Sequence, residues 1–346
     1  MRYFRRNIIM TKTPLRTAYQ YRDVFILQPI VREDIPKCPY ARHYPVFLDF
    51  YIDAVEGKSE IELTALSLDR VKEICTILTA LSNFEFFTYS TTDCAWGLVA
   101  PPCSFDEMTL EEAVLWNKQA GNSVWMIPSY TYVEFEHDRL ISSIILESPN
   151  KRMICDNNPR YFNDEPEEYG KSGIVLPENI TTALDTYYGL DPVSRKSVLA
   201  AMTLISNGIN LGVQYQSIGF ISYISAIETL VNLEYKNVKV QHCKECGQPQ
   251  YKVKKKFLDL LAKYVSSTKN SQSKFKKMYD LRSKIAHTGE LFISDVEFTL
   301  LKRDEMDGEW FKYLEVQQLA RLCVFRWLLI NKFDLVDLKG NVDMNI

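Results

Sequence analysis

The 346-residue chain is 46% hydrophobic and 25% charged, which is the composition of an ordinary soluble globular protein and a length that suits two domains. Its first ten residues lack the apolar core and small-residue cleavage site of a signal peptide. Its eight cysteines are widely spread, so we expect reduced thiols in the cytoplasm rather than a disulfide framework. The net charge of −3 hides an uneven distribution, because residues 251–290 carry eleven Lys and Arg against three Asp and Glu. This basic segment is a candidate surface for binding polyanions.

The first half of the chain has the pattern of a mixed α and β domain. Short runs rich in aromatic and branched residues predict strands at 23–29, 45–52 and 84–89, and a further strand pair at 130–135 and 140–146. Between them, Ser67 predicts the N-cap of a helix whose apolar residues recur at helical spacing. Thr109 is the predicted cap of a second, short helix. The polar and acidic stretch 156–170 is predicted to be a linker or an irregular excursion of the chain.

From Asp191 onward the pattern is helical, with Asp191 as the N-cap and proline at the first helical position. The 31 residues from Ser197 to Ile227 carry no charge. A membrane hairpin and a pair of buried helices are both compatible with such a run. The amides and glycines inside it favour the buried pair, which can also pack against a second copy of the chain. We therefore predict no membrane span.

Three further helices are predicted at 255–265, 271–287 and about 307–332. The predicted fold class is thus α+β, with a mixed α and β domain at 1–185 for sensing or regulation and an all-α bundle at 186–346. The 271–287 helix has Asn270, Ser271 and Ser273 as candidate caps, and Gly289 as its C-terminal stop.

Arg282 and His287 lie near the end of this basic helix. Five residues turn an α-helix through about 500°, so the two side chains project about 140° apart. Histidine can act as both general base and general acid near neutral pH, and arginine suits a phosphate. This chemistry fits cleavage of RNA, which supplies its own 2′-hydroxyl nucleophile, so no catalytic cofactor is expected. Lysines on the same helix would bind the RNA backbone without sequence preference, namely Lys276, Lys277 and Lys284. A capping histidine beside a solvated arginine is the alternative.

The stretch Leu281-Arg-Ser-Lys-Ile-Ala-His-Thr-Gly-Glu-Leu291 resembles the Arg-x4–6-His signature of the HEPN superfamily, in the form found in its ApeA-like branch. Ile224-Ser-Ala-Ile-Glu-Thr-Leu230 is similar to an upstream helix of that branch, and so is the stretch that begins with Cys243-Lys-Glu-Cys246. The resemblance covers about residues 190–332. Ser283 stands where many active members have asparagine or another polar residue, and it can still donate a hydrogen bond.

The resemblance implies a helical bundle that forms a homodimer, with two Arg/His motifs in one cleft. It also implies metal-independent ribonuclease activity on RNA, with tRNA among the candidate substrates, in anti-phage defence or as a toxin. Some members of the superfamily bind without cutting. The alternative is therefore a non-catalytic module that binds RNA, a nucleotide or a protein.

Two further features stay open at the level of sequence. Glu228 is the first charge after the uncharged run, and it either orients Arg282 or His287 or is an ordinary ion-pair partner at a helix end. Cys243 and Cys246 have half the spacing of a structural zinc site, but two further ligands are not evident from the sequence. A structural zinc and a turn with reduced thiols are the two interpretations.

Overall fold

The computed structural model describes residues 2–29, 44–53, 57–88, 109, 111, 160–163, 173–212, 214–238, 241–242, 249–297 and 303–337. The chain forms two compact units. The first comprises Met1–Cys75, Phe84–Lys151 and Pro166–Leu176, and the second comprises Thr76–Asn83, Arg152–Glu165 and Pro177–Ile346. An antiparallel sheet in the first and helices in the second confirm the predicted α+β class with a helical C-terminal part.

The first unit is built on a five-stranded sheet. Its strands are β1 (Arg2–Thr11), β2 (Tyr19–Tyr21), β3 (Phe25–Pro29), β4 (Tyr44–Asp53) and β5 (Phe86–Phe87), in the order β2-β3-β4-β1-β5. All pairings are antiparallel, and the side chains of Ile9, Leu27 and Leu48 are fully buried. The predicted strands at 23–29 and 45–52 are confirmed, and the run at 84–89 contributes the two residues of β5. The sequence prediction missed β1.

Helix α1 (Glu60–Leu81) begins earlier than predicted. Ser59 and Glu62 form a capping box: the backbone N–H of Glu62 donates to Ser59 Oγ at 3.3 Å, and the backbone N–H of Ser59 donates to the Glu62 carboxylate at 2.9 Å. Ser67 lies inside the helix and is only 1% exposed. The prediction of Ser67 as the N-cap was therefore wrong, because a better capping pair precedes it.

The second unit contains eight of the nine described helices in whole: α2 (Arg160–Asn163), α3 (Ile180–Gly189), α4 (Pro192–Gly212), α5 (Gln216–Glu234), α6 (Val253–Tyr264), α7 (Lys269–Thr288), α8 (Ile293–Val296) and α9 (Arg303–Asp337). It also contains a short antiparallel pair, β6 (Gln241–His242) and β7 (Pro249–Gln250). Asp191 caps α4 as predicted, because its Oδ1 accepts hydrogen bonds from the backbone N–H groups of Val193 and Ser194. Helix α9 packs against α3, α4 and α5.

The uncharged run lies on α4 and α5, which pack closely against each other. A Cβ at Gly219 would lie 2.8 Å from the carbonyl oxygen of Gly208, so glycine allows the two backbones to approach. The hydroxyl of Tyr313 on α9 donates to the same carbonyl at 2.8 Å and is 2.8 Å from the hydroxyl of Tyr223. The prediction of a packed helix pair is confirmed, and no helix in the described ranges has the length and apolarity to cross a membrane.

Several predicted elements lie outside the described residues. These are the strand pair at 130–135 and 140–146, the helix that follows Thr109, and most of the stretch 156–170. Within that last stretch the structure describes α2, a four-residue helix where a linker was expected.

Candidate functional site

Helix α7 carries the predicted catalytic pair, and its two ends are well defined. Thr268 is the N-cap, with its Oγ1 accepting from the backbone N–H of Ser271 at 3.3 Å. This replaces the predicted caps Asn270, Ser271 and Ser273, which lie in the first turns of the helix. Gly289 ends the helix with φ of +70°, as predicted, because glycine adopts this left-handed conformation without strain.

Arg282 projects from α7 toward α5, where it meets Glu228. Arg282 Nη2 donates to Glu228 Oε2 at 3.0 Å, and the side chains are 22% and 16% exposed. Arg282 Nε is buried and has no hydrogen-bond partner among the described residues. The ion pair therefore fixes the guanidinium at the edge of the bundle, and the part-exposed side chain, rather than the buried Nε, is the part that a phosphate oxygen could reach.

Tyr279 is a third member of this cluster, and the sequence analysis did not identify it. Burial raises the pKa of Tyr279, and the charge of Glu228 and a hydrogen bond to it raise the pKa further, while Arg282 opposes them. The phenol therefore stays neutral beside the Glu228 carboxylate. The guanidinium carbon of Arg282 lies 6.0 Å from the centre of the Tyr279 ring. The one available signal was the spacing of three residues between Tyr279 and Arg282 on a helix.

His287 lies in the last turn of α7 and is exposed. Helix geometry places it about 140° around the axis from Arg282 and about 7.5 Å farther along it. Among the described residues, no hydrogen bond or ion pair joins His287 to Arg282 or to Glu228. The structure therefore brings Arg282 and Glu228 together and leaves His287 facing solvent. Ser283, which lies between Arg282 and His287 in the sequence, is half-buried.

The three lysines predicted to bind RNA lie on two neighbouring stripes of α7. Lys276 is exposed and shares a stripe with Ser283 and His287, at spacings of seven and eleven residues. Lys277 and Lys284 share the next stripe, and Lys284 Nζ lies 3.0 Å from Glu290 Oε1 in an exposed ion pair. All three lysines project on the His287 side of the helix, more than about 100° from Arg282.

The predicted zinc ligands Cys243 and Cys246 lie outside the described residues. The strands on either side are described, and β6 pairs Gln241 with Gln250 and His242 with Pro249. Within the ranges that the structure describes, no three His, Cys, Asp or Glu side chains are grouped so that they could hold a metal ion.

Comparison of the chain with protein-family models, with curated proteins and with solved structures finds no significant match.

Proposed function

We propose that this protein is a metal-independent endoribonuclease of the HEPN type, with Arg282 and His287 as its catalytic residues. The observation that carries the proposal is the Tyr279–Glu228–Arg282 cluster. It holds a part-exposed arginine, oriented by a carboxylate, on the same basic helix as an exposed histidine. The resemblance of Leu281–Leu291 to the Arg-x4–6-His signature supports the same assignment.

The proposed reaction is a transesterification within the RNA. The 2′-hydroxyl attacks the adjacent phosphorus and loses its proton to a general base, and the 5′-oxygen of the next nucleotide leaves and takes up a proton. His287 moves these protons, and Arg282 stabilises the charge on the pentacoordinate phosphorus. The products are a 2′,3′-cyclic phosphate and a 5′-hydroxyl. Because the RNA supplies the nucleophile, the proposed reaction needs no metal ion, and a zinc at Cys243 and Cys246 would be structural.

A homodimer is part of the proposal because one helix does not direct Arg282 and His287 at the same phosphate. Their separation of about 140° suits a cleft to which two copies of α7 contribute. The uncharged α4–α5 pair offers a surface for that contact, with Leu211 37% exposed and Ile218 45% exposed. In such a dimer, Arg282 of one copy would act with His287 of the other.

The resemblance also suggests where this activity would operate. A cytoplasmic ribonuclease that cuts tRNA or other cellular RNA would stop growth, as a toxin or in defence against phage. We expect expression of the wild type to arrest growth of a bacterial host. The Arg282→Ala variant, expressed at the same level, should relieve the arrest.

The direct test is incubation of the purified protein with total RNA or tRNA in EDTA. The wild type should cut the RNA and leave 2′,3′-cyclic phosphate ends, and His287→Ala should lower the rate by about 10²–10⁴-fold. Asn270→Ala is the matched control, because Asn270 is an exposed side chain on the same helix. Intact RNA after incubation with the wild type, or equal cleavage by His287→Ala, would contradict the proposal.

A non-catalytic binding module is the second candidate. The observation that favours it is the ion pair itself, because a part-buried Arg282–Glu228 pair can also serve to hold α5 and α7 together. This candidate predicts salt-dependent RNA binding without cleavage. It also predicts that Lys276→Ala and Lys277→Ala weaken binding more than His287→Ala does.

A further inference from the structure

A groove lies between α7 and α9, on the side of α7 that carries Lys277 and Lys284. It consists of two hollows of about 1040 and 460 Å³, which adjoin at Lys274, Met278 and Glu315. Along α7 the groove extends from Ser271 to Lys284, which is about 20 Å on a helix. Both hollows lie within the second unit, so the groove is a property of the helical bundle alone.

The floor of the groove is apolar. The large apolar side chains that line the larger hollow are Phe275, Met278, Phe311, Leu314, Leu319 and Leu322, and polar Ser266, Ser271, Gln318 and Arg326 lie around them. The smaller one has Phe220, Met278 and Leu281. Phe311 is 65% exposed, although it is a large apolar side chain on the wall of a concave surface. Such a surface is typical of a site that a binding partner covers.

The rim of the groove is unevenly charged. Lys274 pairs with Glu315 across the groove at 2.9 Å, Lys284 pairs with Glu290 at 3.0 Å, and Asp280 pairs with Lys254. Two exposed rim lysines, Lys277 and Lys312, form no salt bridge with any described residue. The smaller hollow therefore combines an apolar floor with two cations that lack a salt-bridge partner in the described part of the chain.

We propose that this groove binds an acidic amphipathic helix of a partner protein. A length of about 20 Å accommodates about 13 helical residues, whose apolar side chains at i, i+3, i+4 and i+7 would lie on the floor. Acidic side chains on the flank of that helix would face Lys277 and Lys312. Single-stranded RNA binds mainly by stacking its bases on exposed aromatic rings, and Phe311 is the exposed ring among the groove-lining residues. An apolar floor about 20 Å long suits the face of a helix better than one such ring suits RNA. The proposal does not depend on ribonuclease activity.

The probe is a fluorescein-labelled synthetic helix of about 14 residues, with leucine at those spacings and glutamate on its flanks. The control peptide has the same composition in an order that removes the apolar face. Fluorescence anisotropy with the full-length protein should give a Kd on the order of micromolar for the probe, which rises with salt. The control peptide should bind at least about tenfold more weakly.

Two variants test the two parts of the site. Lys277→Glu/Lys312→Glu should weaken binding of the probe by at least about tenfold, and Phe311→Ala should weaken it by about threefold to tenfold. The matched control is Lys255→Glu/Lys269→Glu, which makes the same change in net charge at two exposed lysines that do not line the groove. It should change the Kd by less than about twofold. Because all four lysines are exposed, circular dichroism should show an unchanged fold.

Three outcomes would overturn the proposal. Equal binding of the two peptides, or equal losses in the groove variant and the charge-matched control, would show general attraction to a basic surface. If Lys277→Glu/Lys312→Glu removed binding of single-stranded RNA but kept binding of the peptide, the lysines would belong to an RNA path. If sedimentation showed that the wild type is a dimer and the groove variant is a monomer, while the two bind the peptide equally well, the groove would be a contact between copies.

Discussion

Two arginine–carboxylate pairs in this protein have different surroundings. In the sheet, Arg6 on β1 faces Asp49 on β4 with both Nε and Nη2, at 2.5 and 2.6 Å, and the side chains are 2% and 0% exposed. Nη2 also donates to Gln28, and the guanidinium lies 4.2 Å from the centre of the Phe47 ring. In the bundle, Arg282 meets Glu228 with one nitrogen at 3.0 Å, and its Nε has no partner in the described ranges.

The difference separates a structural arginine from one that can bind a ligand. Arg6 is enclosed, and its charge is matched from several sides, so its replacement should affect stability. Arg282 is held in place by one carboxylate and its side chain is 22% exposed, so its replacement should affect binding and catalysis more than folding. A buried ion pair does not by itself indicate function, whereas an arginine that is oriented by a carboxylate and partly exposed is a candidate for ligand binding.

The largest effect on stability should come from removal of one partner in the sheet. Asp49→Ala leaves the buried charge of Arg6 without its carboxylate, and we expect it to lower the free energy of unfolding by about 3–5 kcal/mol. Urea unfolding followed by circular dichroism measures this loss. The double variant Arg6→Met/Asp49→Leu removes both charges and should cost much less. A loss below about 1 kcal/mol in Asp49→Ala would place this pair among the weak surface pairs.

Arg282→Ala should have the opposite profile. We expect the rate of RNA cleavage at saturating substrate to fall by about 10²–10³-fold, because the transition state loses a donor. The loss in unfolding free energy should stay below that of Asp49→Ala. Arg282→Lys keeps the charge but not the fork of donors, so its rate should be intermediate. If Arg282→Ala cuts RNA at the wild-type rate and only destabilises the protein, the two pairs are alike and both structural.

Glu228 and Tyr279 should act as positioning residues for Arg282. We expect Glu228→Gln to lower kcat by about tenfold, because the side chain keeps its shape and loses the charge that orients the guanidinium. Tyr279→Phe keeps the ring and removes the hydroxyl beside Glu228, so its effect should be smaller, about threefold. Steady-state kinetics would separate kcat from KM. If both variants were less stable but had an unchanged kcat, Glu228 and Tyr279 would not be positioning residues.

Elements with local sequence signals could be predicted, and elements that depend on a distant partner could not. The uncharged run, the Asp191 cap and the Gly289 stop are local signals, and the helices they predict are present. Strand β1 was missed because Arg5, Arg6 and Asn7 interrupt its apolar pattern, and these side chains are nevertheless buried. For Arg6 the partner that allows burial is Asp49, 43 residues away, which no local pattern reveals.

The candidate site, too, has a part that could be predicted from sequence and a part that could not. The choice of Arg282 and His287 came from one stretch of helix, and their separation around the axis followed from helix geometry. The partner of Arg282 depends on how α5 packs against α7, across 54 residues of sequence, so Glu228 was open between two roles and Tyr279 was not considered. Long-range packing decides which donors of a side chain remain available, and a single sequence does not encode that locally.

Two lysines of the helical bundle, Lys276 and Lys254, differ in the same way as the two arginines, and the smallest effect is expected for them. Lys276 is exposed on the His287 stripe and has no salt bridge with a described residue, whereas Lys254 is held by Asp280. A lysine that binds a phosphate releases a counterion, so Lys276→Ala should reduce the slope of log K against log salt by about 0.7 for single-stranded RNA. Lys254→Ala should change it less, because that ammonium already has a carboxylate partner. Filter binding with the His287→Ala protein, over a range of salt concentrations, measures both slopes without cleavage of the RNA. Equal changes in the two slopes would mean that the Lys254–Asp280 ion pair opens readily in favour of RNA.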